Sequence, residues 1–195
     1  MVGIVGSRRR PARRRRSPRR ARAPDAASAG GPAIAIGAIT VLLVLLLVAN
    51  GTPVVLTRLL GGRGAYPIDG GRRWRDGRPL LGRSKTWRGL VGAVAATTLA
   101  GWLLGVGAGI GAVVALTALA GDAASSFTKR RLGVASSGPA FGLDQVPESL
   151  LPALVVARPL GLGVGDVLAV TVTFFVGELM LSRLLYHLKI RDRPY

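Results

Sequence analysis

The strongest constraint on this chain is a series of apolar runs long enough to cross a bilayer. Residues 33–49 carry no charged side chain. A helix rises about 1.5 Å per residue, so roughly 20 apolar residues cross the hydrocarbon core. Residues 89–106 form a second run and residues 109–124 a third, joined by a glycine-rich link at 105–111. A fourth, at 150–164, is interrupted by Pro152, Arg158 and Pro159, and a fifth, at 167–188, carries Glu178 and Arg183. These segments are apolar on every face, whereas a helix of a soluble bundle keeps one polar side. The expectation is an all-α polytopic membrane protein with about five transmembrane helices.

The charge lies elsewhere. A formal net charge of +18 on a chain that is 49% hydrophobic requires the two properties to be segregated. Ten arginines fall within residues 8–22, interleaved with Pro, Ser and Ala. Such a stretch repels itself and has too little apolar surface to form a core, so residues 1–31 read as a disordered Arg-rich tail. No aromatic residue stands among the arginines to stack on a base, and no nucleic acid is expected as a partner. The domain proper is 32–195. Zero cysteines exclude disulfides, thiol nucleophiles and Cys-based zinc sites. The single histidine, His187, leaves no room for a multi-histidine metal centre.

Basic residues set the orientation. The first loop, residues 51–88, holds nine of them. Lys129, Arg130 and Arg131 follow the third run, and Lys189, Arg191 and Arg193 follow the fifth. With five spans all three groups share one side, which the charge rule makes the cytoplasm. The tail would then lie outside, against the same rule.

Two loops on that side carry chemistry. The first contains Asp69 and Asp76 among cations, is punctuated by Gly70, Gly71, Gly77 and Gly82, with Gly89 just after it, and ends in Ser84-Lys85-Thr86 just before the second run. Lys85 and Arg88 at a helix N-terminus make an anion site, or a juxtamembrane loop touching lipid heads. Gly82-Arg-Ser-Lys-Thr86 lacks the spacing and the preceding strand of a phosphate-binding P-loop. In the second, Asp122, Ser126, Lys129 and Arg130 are spaced to share one helical face. An acid near the bilayer is costly, and beside a hydroxyl and two cations it suits a metal–phosphate site, or a snorkelling helix end with a local ion pair. Asp144 is a second metal ligand or a cap for the following helix. Asp166 reads as an N-cap, Glu178 as one half of an ion pair with Arg183 or Arg158, and Trp74 and Trp87 as interfacial anchors.

Asn50-Gly-Thr-Pro-Val54, Pro67-Ile-Asp-Gly-Gly71, Asp76-Gly-Arg78, Lys85-Thr-Trp-Arg-Gly89, Gly121-Asp122, Ser126-Phe-Thr-Lys-Arg-Arg131 and Leu143-Asp-Gln145 occur in that order. Together they resemble the CDP-archaeol synthases and, more distantly, the bacterial phosphatidate cytidylyltransferases. The Ala135-to-Gln145 stretch lacks the Lys-Asp and His-Gly-Gly of the bacterial enzymes. The resemblance implies CTP and a membrane lipid phosphate as substrates and Mg²⁺ as cofactor. The acceptor is an ether-linked isoprenoid or a diacyl lipid phosphate. It further implies that Asp122 and Asp144 hold the metal. Lys129, Arg130, Ser126, Lys85 and Arg88 would hold phosphate in the catalytic machinery. Asn50, Asp69, Asp76, Thr86, Arg131 and Gln145 would build the substrate site. It places the enzyme in the cell membrane with its loops in the cytoplasm.

Two rivals stand against this reading. A CDP-alcohol phosphotransferase would need several aspartates clustered on one helix, and here they are scattered one per motif. A non-catalytic anchor presenting the basic tail to nucleic acid or anionic lipid would depend on residues 1–31 and tolerate loss of Asp122.

Overall fold

A computed structural model describes residues 35–134 and 142–187, with backbone alone at 185–187. The Arg-rich tail, the Ser136–Pro139 stretch and the basic C-terminal end lie outside the described residues. Five helices follow one another: α1 (Ile36–Leu60), α2 (Trp87–Leu103), α3 (Ala108–Arg131), α4 (Gln145–Leu160) and α5 (Val164–His187). Consecutive helices pack together, and α1 also touches α3, α4 and α5. Three have the length and composition to cross a membrane: α1, α3 and residues 164–184 of α5. α2 and α4 have 17 and 16 residues, or about 26 and 24 Å against a core of roughly 30 Å.

The molecule is apolar both inside and outside, as a bilayer solvent requires. Leu42, Leu45, Leu46, Val114, Val156 and Val170 fill the interior. Leu47, Val91, Leu99, Leu116, Leu154, Leu168 and Val172 face outward on the five helices. The polar residues that do enter the interior belong mainly to the loop end of α3 and the start of α4, and include Ser126, Lys129, Arg130 and Glu148.

Two boundaries differ from the sequence expectation, and both differences shape the site. α1 does not stop at residue 50. It continues through Pro53 to Leu60, so the first loop is shorter than its sequence suggests. Proline removes one helical hydrogen bond. Here Thr52 donates to the Val48 carbonyl at 2.6 Å and Thr57 to the Pro53 carbonyl at 2.8 Å, bracing the helix on either side. α4 starts at Gln145, five residues before its apolar run, with Pro147 in the first turn where its missing N–H costs nothing. It ends at Gly161, whose left-handed backbone (φ 66°) closes the last turn.

Glycine sets the helix spacing at three points. A Cβ on Gly111 would lie 2.3 Å from the Thr97 carbonyl oxygen, and one on Gly101 would lie 2.8 Å from the Gly111 Cα. These contacts lock α2 against α3. A Cβ on Gly121 would lie 2.3 Å from the Pro147 carbonyl oxygen. That approach brings the first turn of α4 against the residue beside Asp122.

Candidate functional site

The first loop folds on itself before it meets α3. Isolated antiparallel bridges pair Pro67 with Thr86 and Arg73 with Pro79. Asp69 organises the turn: Oδ1 accepts from Gly71 N at 2.9 Å, and Oδ2 from Leu81 N at 2.9 Å and Gly82 N at 3.2 Å. Burial works to raise the Asp69 pKa, but the N–H groups of Leu81, Gly71 and Gly82 outweigh it and hold the carboxyl below the usual aspartate range. Because the folded value is depressed, this stabilisation is fully present at neutral pH. It is lost only as pH falls through that lowered value.

The loop is then latched to the end of α3 by two reciprocal arginines. Arg78 donates to the carbonyls of Arg130 and Arg131 at the C-terminal end of α3. Arg131 donates to Asp76 Oδ1 at 2.6 Å and to the Pro79 carbonyl at 2.6 Å. Its guanidinium stacks 5.0 Å from the centre of the Phe127 ring, and Trp74 meets the same ring edge-on at 5.4 Å. Asp76 and Arg131 are thus joined to each other, and their contacts are structural ones. Because the latch holds the loop in place, Arg131→Ala is expected to weaken ligand binding at the loop about tenfold. The charge-swapped pair Asp76→Arg with Arg131→Asp should recover part of the loss; equal losses in single and double variants would argue against the latch.

Beneath the latch lies a cavity of about 860 Å³ lined by Arg73, Arg78, Arg83, Arg130, Tyr66 and loop glycines. This is within the size range of cofactor and ligand sites. Gly70 (φ 60°), Gly71 (φ 76°) and Gly82 (φ 99°) sit in its wall with left-handed backbone, which lets the chain turn tightly around a ligand. Arg130 is buried; its Nη1 donates to the Val134 carbonyl at 2.6 Å, and its Nε has no partner.

The remaining candidates fall into pairs. Lys85 from the first loop forms an ion pair with Asp122. Lys129 pairs with Asp144 at 2.7 Å. Along α3, Asp122 and Lys129 are two turns apart, about 10 Å. Asp144 stands at the N-cap position of α4 but makes no capping bond, so its carboxylate serves Lys129. Ser126 is buried on the same stretch of α3.

Other candidates are engaged elsewhere. Arg88 closes the C-terminal end of α1, donating to the carbonyls of Gly61 and Arg63. Thr86 is the N-cap of α2 and accepts from Gly89 N at 3.2 Å. Gln145 accepts from Gly142 N at 3.0 Å. Asn50 lies inside α1 with a shielded Nδ2 that has no hydrogen-bond partner. Asp166 sits three residues after the N-cap position, accepting from Gly163 N at 2.9 Å and from Ala35 N at 3.2 Å. It therefore supports the helix start from the N3 position, not from the cap itself.

One residue that sequence reasoning passed over is Glu148. It is buried, hydrogen-bonds to Asp122, and feels the charges of Glu178 and Lys85. In sequence it is an ordinary acid in a first helical turn. Only the close approach at Gly121 reveals its role. Among the described residues no three acidic or histidine side chains converge as a metal cage. Mg²⁺ does not need one, since it is usually held by one or two carboxylates with substrate phosphates and water. Asp122 and Glu148, with Lys85 beside them, fit that demand.

A family model described as CarS-like, CDP-archaeol synthase, matches residues 36–195. The CDP-archaeol synthase of Pyrococcus abyssi is 36% identical over 159 residues, covering 75% of this chain and 90% of that one. The CDP-archaeol synthase of Aeropyrum pernix is 45% identical over 121 residues, covering 59% of this chain and 66% of that one. A solved structure described as an intramembrane enzyme for archaeal membrane lipids biosynthesis superposes with a TM-score of 0.60 at 37% identity. It covers 72% of this chain and 90% of that chain.

Proposed function

The chain belongs to the CDP-archaeol synthase family, and from that premise we propose how its residues divide the reaction. It is an integral-membrane, CTP-dependent cytidylyltransferase that makes a CDP-lipid for membrane lipid biosynthesis. The match begins at residue 36, so the Arg-rich tail takes no part in it.

The triphosphate of CTP takes the arginine-lined cavity, where Arg73, Arg78, Arg83 and Arg130 face a ligand that carries only acceptors. The acceptor is an ether-linked isoprenoid glycerol phosphate. One of its phosphate oxygens attacks the α-phosphorus of CTP. A new P–O bond forms there, the bond to the β-phosphate oxygen breaks, and pyrophosphate leaves with that electron pair. The attacking oxygen is already anionic, so the protein needs no nucleophile and no strong base. Its work is positioning and charge neutralisation.

Asp122 would be the central metal ligand, with Glu148 beside it, and Asp144, at the N-cap of α4, would serve from its place against Lys129, two turns along α3. Mg²⁺ held there supplies charge neutralisation for the transferring phosphoryl group. The observation that carries the reading is the pairing of each candidate ligand with a candidate phosphate holder, Lys85 with Asp122 and Lys129 with Asp144. With a metal held by the carboxylates, Lys85 and Lys129 would be free to hold phosphate oxygens instead. The loops face the cytoplasm, in keeping with their basic residues and with the location of CTP.

The test is direct. Full-length protein in detergent is incubated with labelled CTP, Mg²⁺ and a panel of isoprenoid-ether and diacyl lipid phosphates. Label is expected in the ether lipid and to fall about 100-fold in Lys129→Ala. Label passing equally to diacyl acceptors would overturn the assigned acceptor, and an unaffected Lys129→Ala would overturn its role.

A further inference from the structure

The arginine-lined cavity holds one group that its cations do not explain. Tyr66 is the only aromatic side chain among the described residues that line it. It is 74% exposed, and among the described residues no other ring or cation stacks on it. Trp74 and Phe127, by contrast, are engaged with each other, and Phe127 also carries the Arg131 guanidinium. The face of a phenol ring is negative, which makes it a poor partner for phosphate oxygens. It is a good partner for a flat, uncharged π system.

The backbone beneath that ring is held on both sides. The Tyr66 carbonyl accepts from Trp87 N at 3.0 Å, and Ile68 N donates to the Lys85 carbonyl at 2.8 Å. Pro67, bridged to Thr86, restricts Tyr66 to extended backbone. A tyrosine mounted in this way has few side-chain torsions left to settle, so ordering it against a ligand costs little. The same bonds tie Tyr66 to the start of α2, beside the segment that carries Lys85 and, through its ion pair, Asp122. Arg78 is tied instead to the end of α3, where Arg130 also lines the cavity. A nucleoside triphosphate presents its groups in a matching order: base, ribose, the α-phosphorus, then the two outer phosphates. The reacting phosphorus lies next to the nucleoside, and the greatest charge lies furthest from the base.

We propose that Tyr66 is the stacking platform for the base of CTP, with the triphosphate directed toward Arg78 and Arg130. This rests on the cytidylyl-transfer reading above. Base–aromatic stacking needs only a π face, so Tyr66 supplies affinity and position, not choice among bases. It touches the part of the substrate that does not react. Holding the base there fixes the nucleoside, and with it the distance of the α-phosphorus from the Lys85 and Asp122 pair. A tyrosine serving only as an interfacial anchor would leave nucleotide affinity untouched, and the test uses that contrast.

The test separates base from phosphate on the full chain in detergent. Equilibrium affinity is measured for CTP and for tripolyphosphate, which carries the phosphates and no base. Tyr66→Ala is expected to weaken CTP binding about tenfold and to leave tripolyphosphate within about twofold of wild type. Tyr66→Phe and Tyr66→Trp keep an aromatic face and should hold CTP within about twofold of wild type. Retained tripolyphosphate binding also shows that the Ala variant is folded. The proposal is overturned if Tyr66→Ala binds CTP as wild type does, or if it loses CTP and tripolyphosphate equally. It is also overturned if the Phe and Trp variants lose CTP as the Ala variant does. A wild-type protein that binds neither ligand and labels no lipid phosphate would instead sink the underlying transfer reading.

Discussion

Asp122→Asn is expected to lower cytidylyl transfer by about 100-fold or more with little change in fold. The substitution keeps the shape of the side chain and removes its charge. Lys85 then loses its ion-pair partner, while the amide can still hydrogen-bond Glu148. The metal role separates from the structural one by a direct binding measurement. With Mn²⁺ as a spectroscopic stand-in for Mg²⁺, wild-type protein with CTP should bind the ion and Asp122→Asn should not. Lys85→Gln removes the resident cation and should let Mn²⁺ bind in the absence of nucleotide more tightly than wild-type does. Normal Mn²⁺ binding and turnover in Asp122→Asn would remove Asp122 from the metal site. Helical content by circular dichroism checks that the variant is folded.

Gly121→Val is expected to be nearly as damaging, although Gly121 carries no chemistry. Even the first side-chain carbon would lie 2.3 Å from the Pro147 carbonyl oxygen and 2.9 Å from the Glu148 nitrogen, both backbone atoms that have no rotamer with which to move aside. The start of α4 must shift away from α3. That takes Glu148 from Asp122, and strain of this kind costs about 1–3 kcal/mol. Activity should fall by about 100-fold, Mn²⁺ affinity should fall with it, and the midpoint of thermal unfolding should drop. A Val variant with unchanged Mn²⁺ affinity would show that Glu148 is not needed at the metal. Gly121→Ala should fall between the two, because its methyl meets the same carbonyl.

The membrane class was legible from hydropathy alone, because burial in lipid demands long charge-free runs wherever the helices pack. The order of the helices followed from the same arithmetic. The face shared by Asp122, Ser126, Lys129 and Arg130 was also readable, since helical spacing is local. The boundaries of α1 and α4 were less so. Proline at 53 and polar residues at 145–149 look like loop by composition, yet threonine bracing and close contact with α3 keep both segments helical.

Pairing is where local reasoning stopped. Nothing in the sequence distinguishes Arg88, which caps α1, from Arg130, which lines the large cavity, because both are arginines beside a helix end. Asp76 and Arg131 stand 55 residues apart and meet only because the loop folds back on α3. Glu148 is unremarkable in its own turn and acquires meaning from the glycine that lets α4 approach. Sequence alone determined the solvent this protein folds in and the list of polar groups available for chemistry, since both depend on residue type and near-neighbour spacing. The tertiary structure decided which groups share a site and which are spent on holding it. Those outcomes depend on close approaches between segments distant in the chain, set by glycines and reciprocal hydrogen bonds that no local pattern encodes.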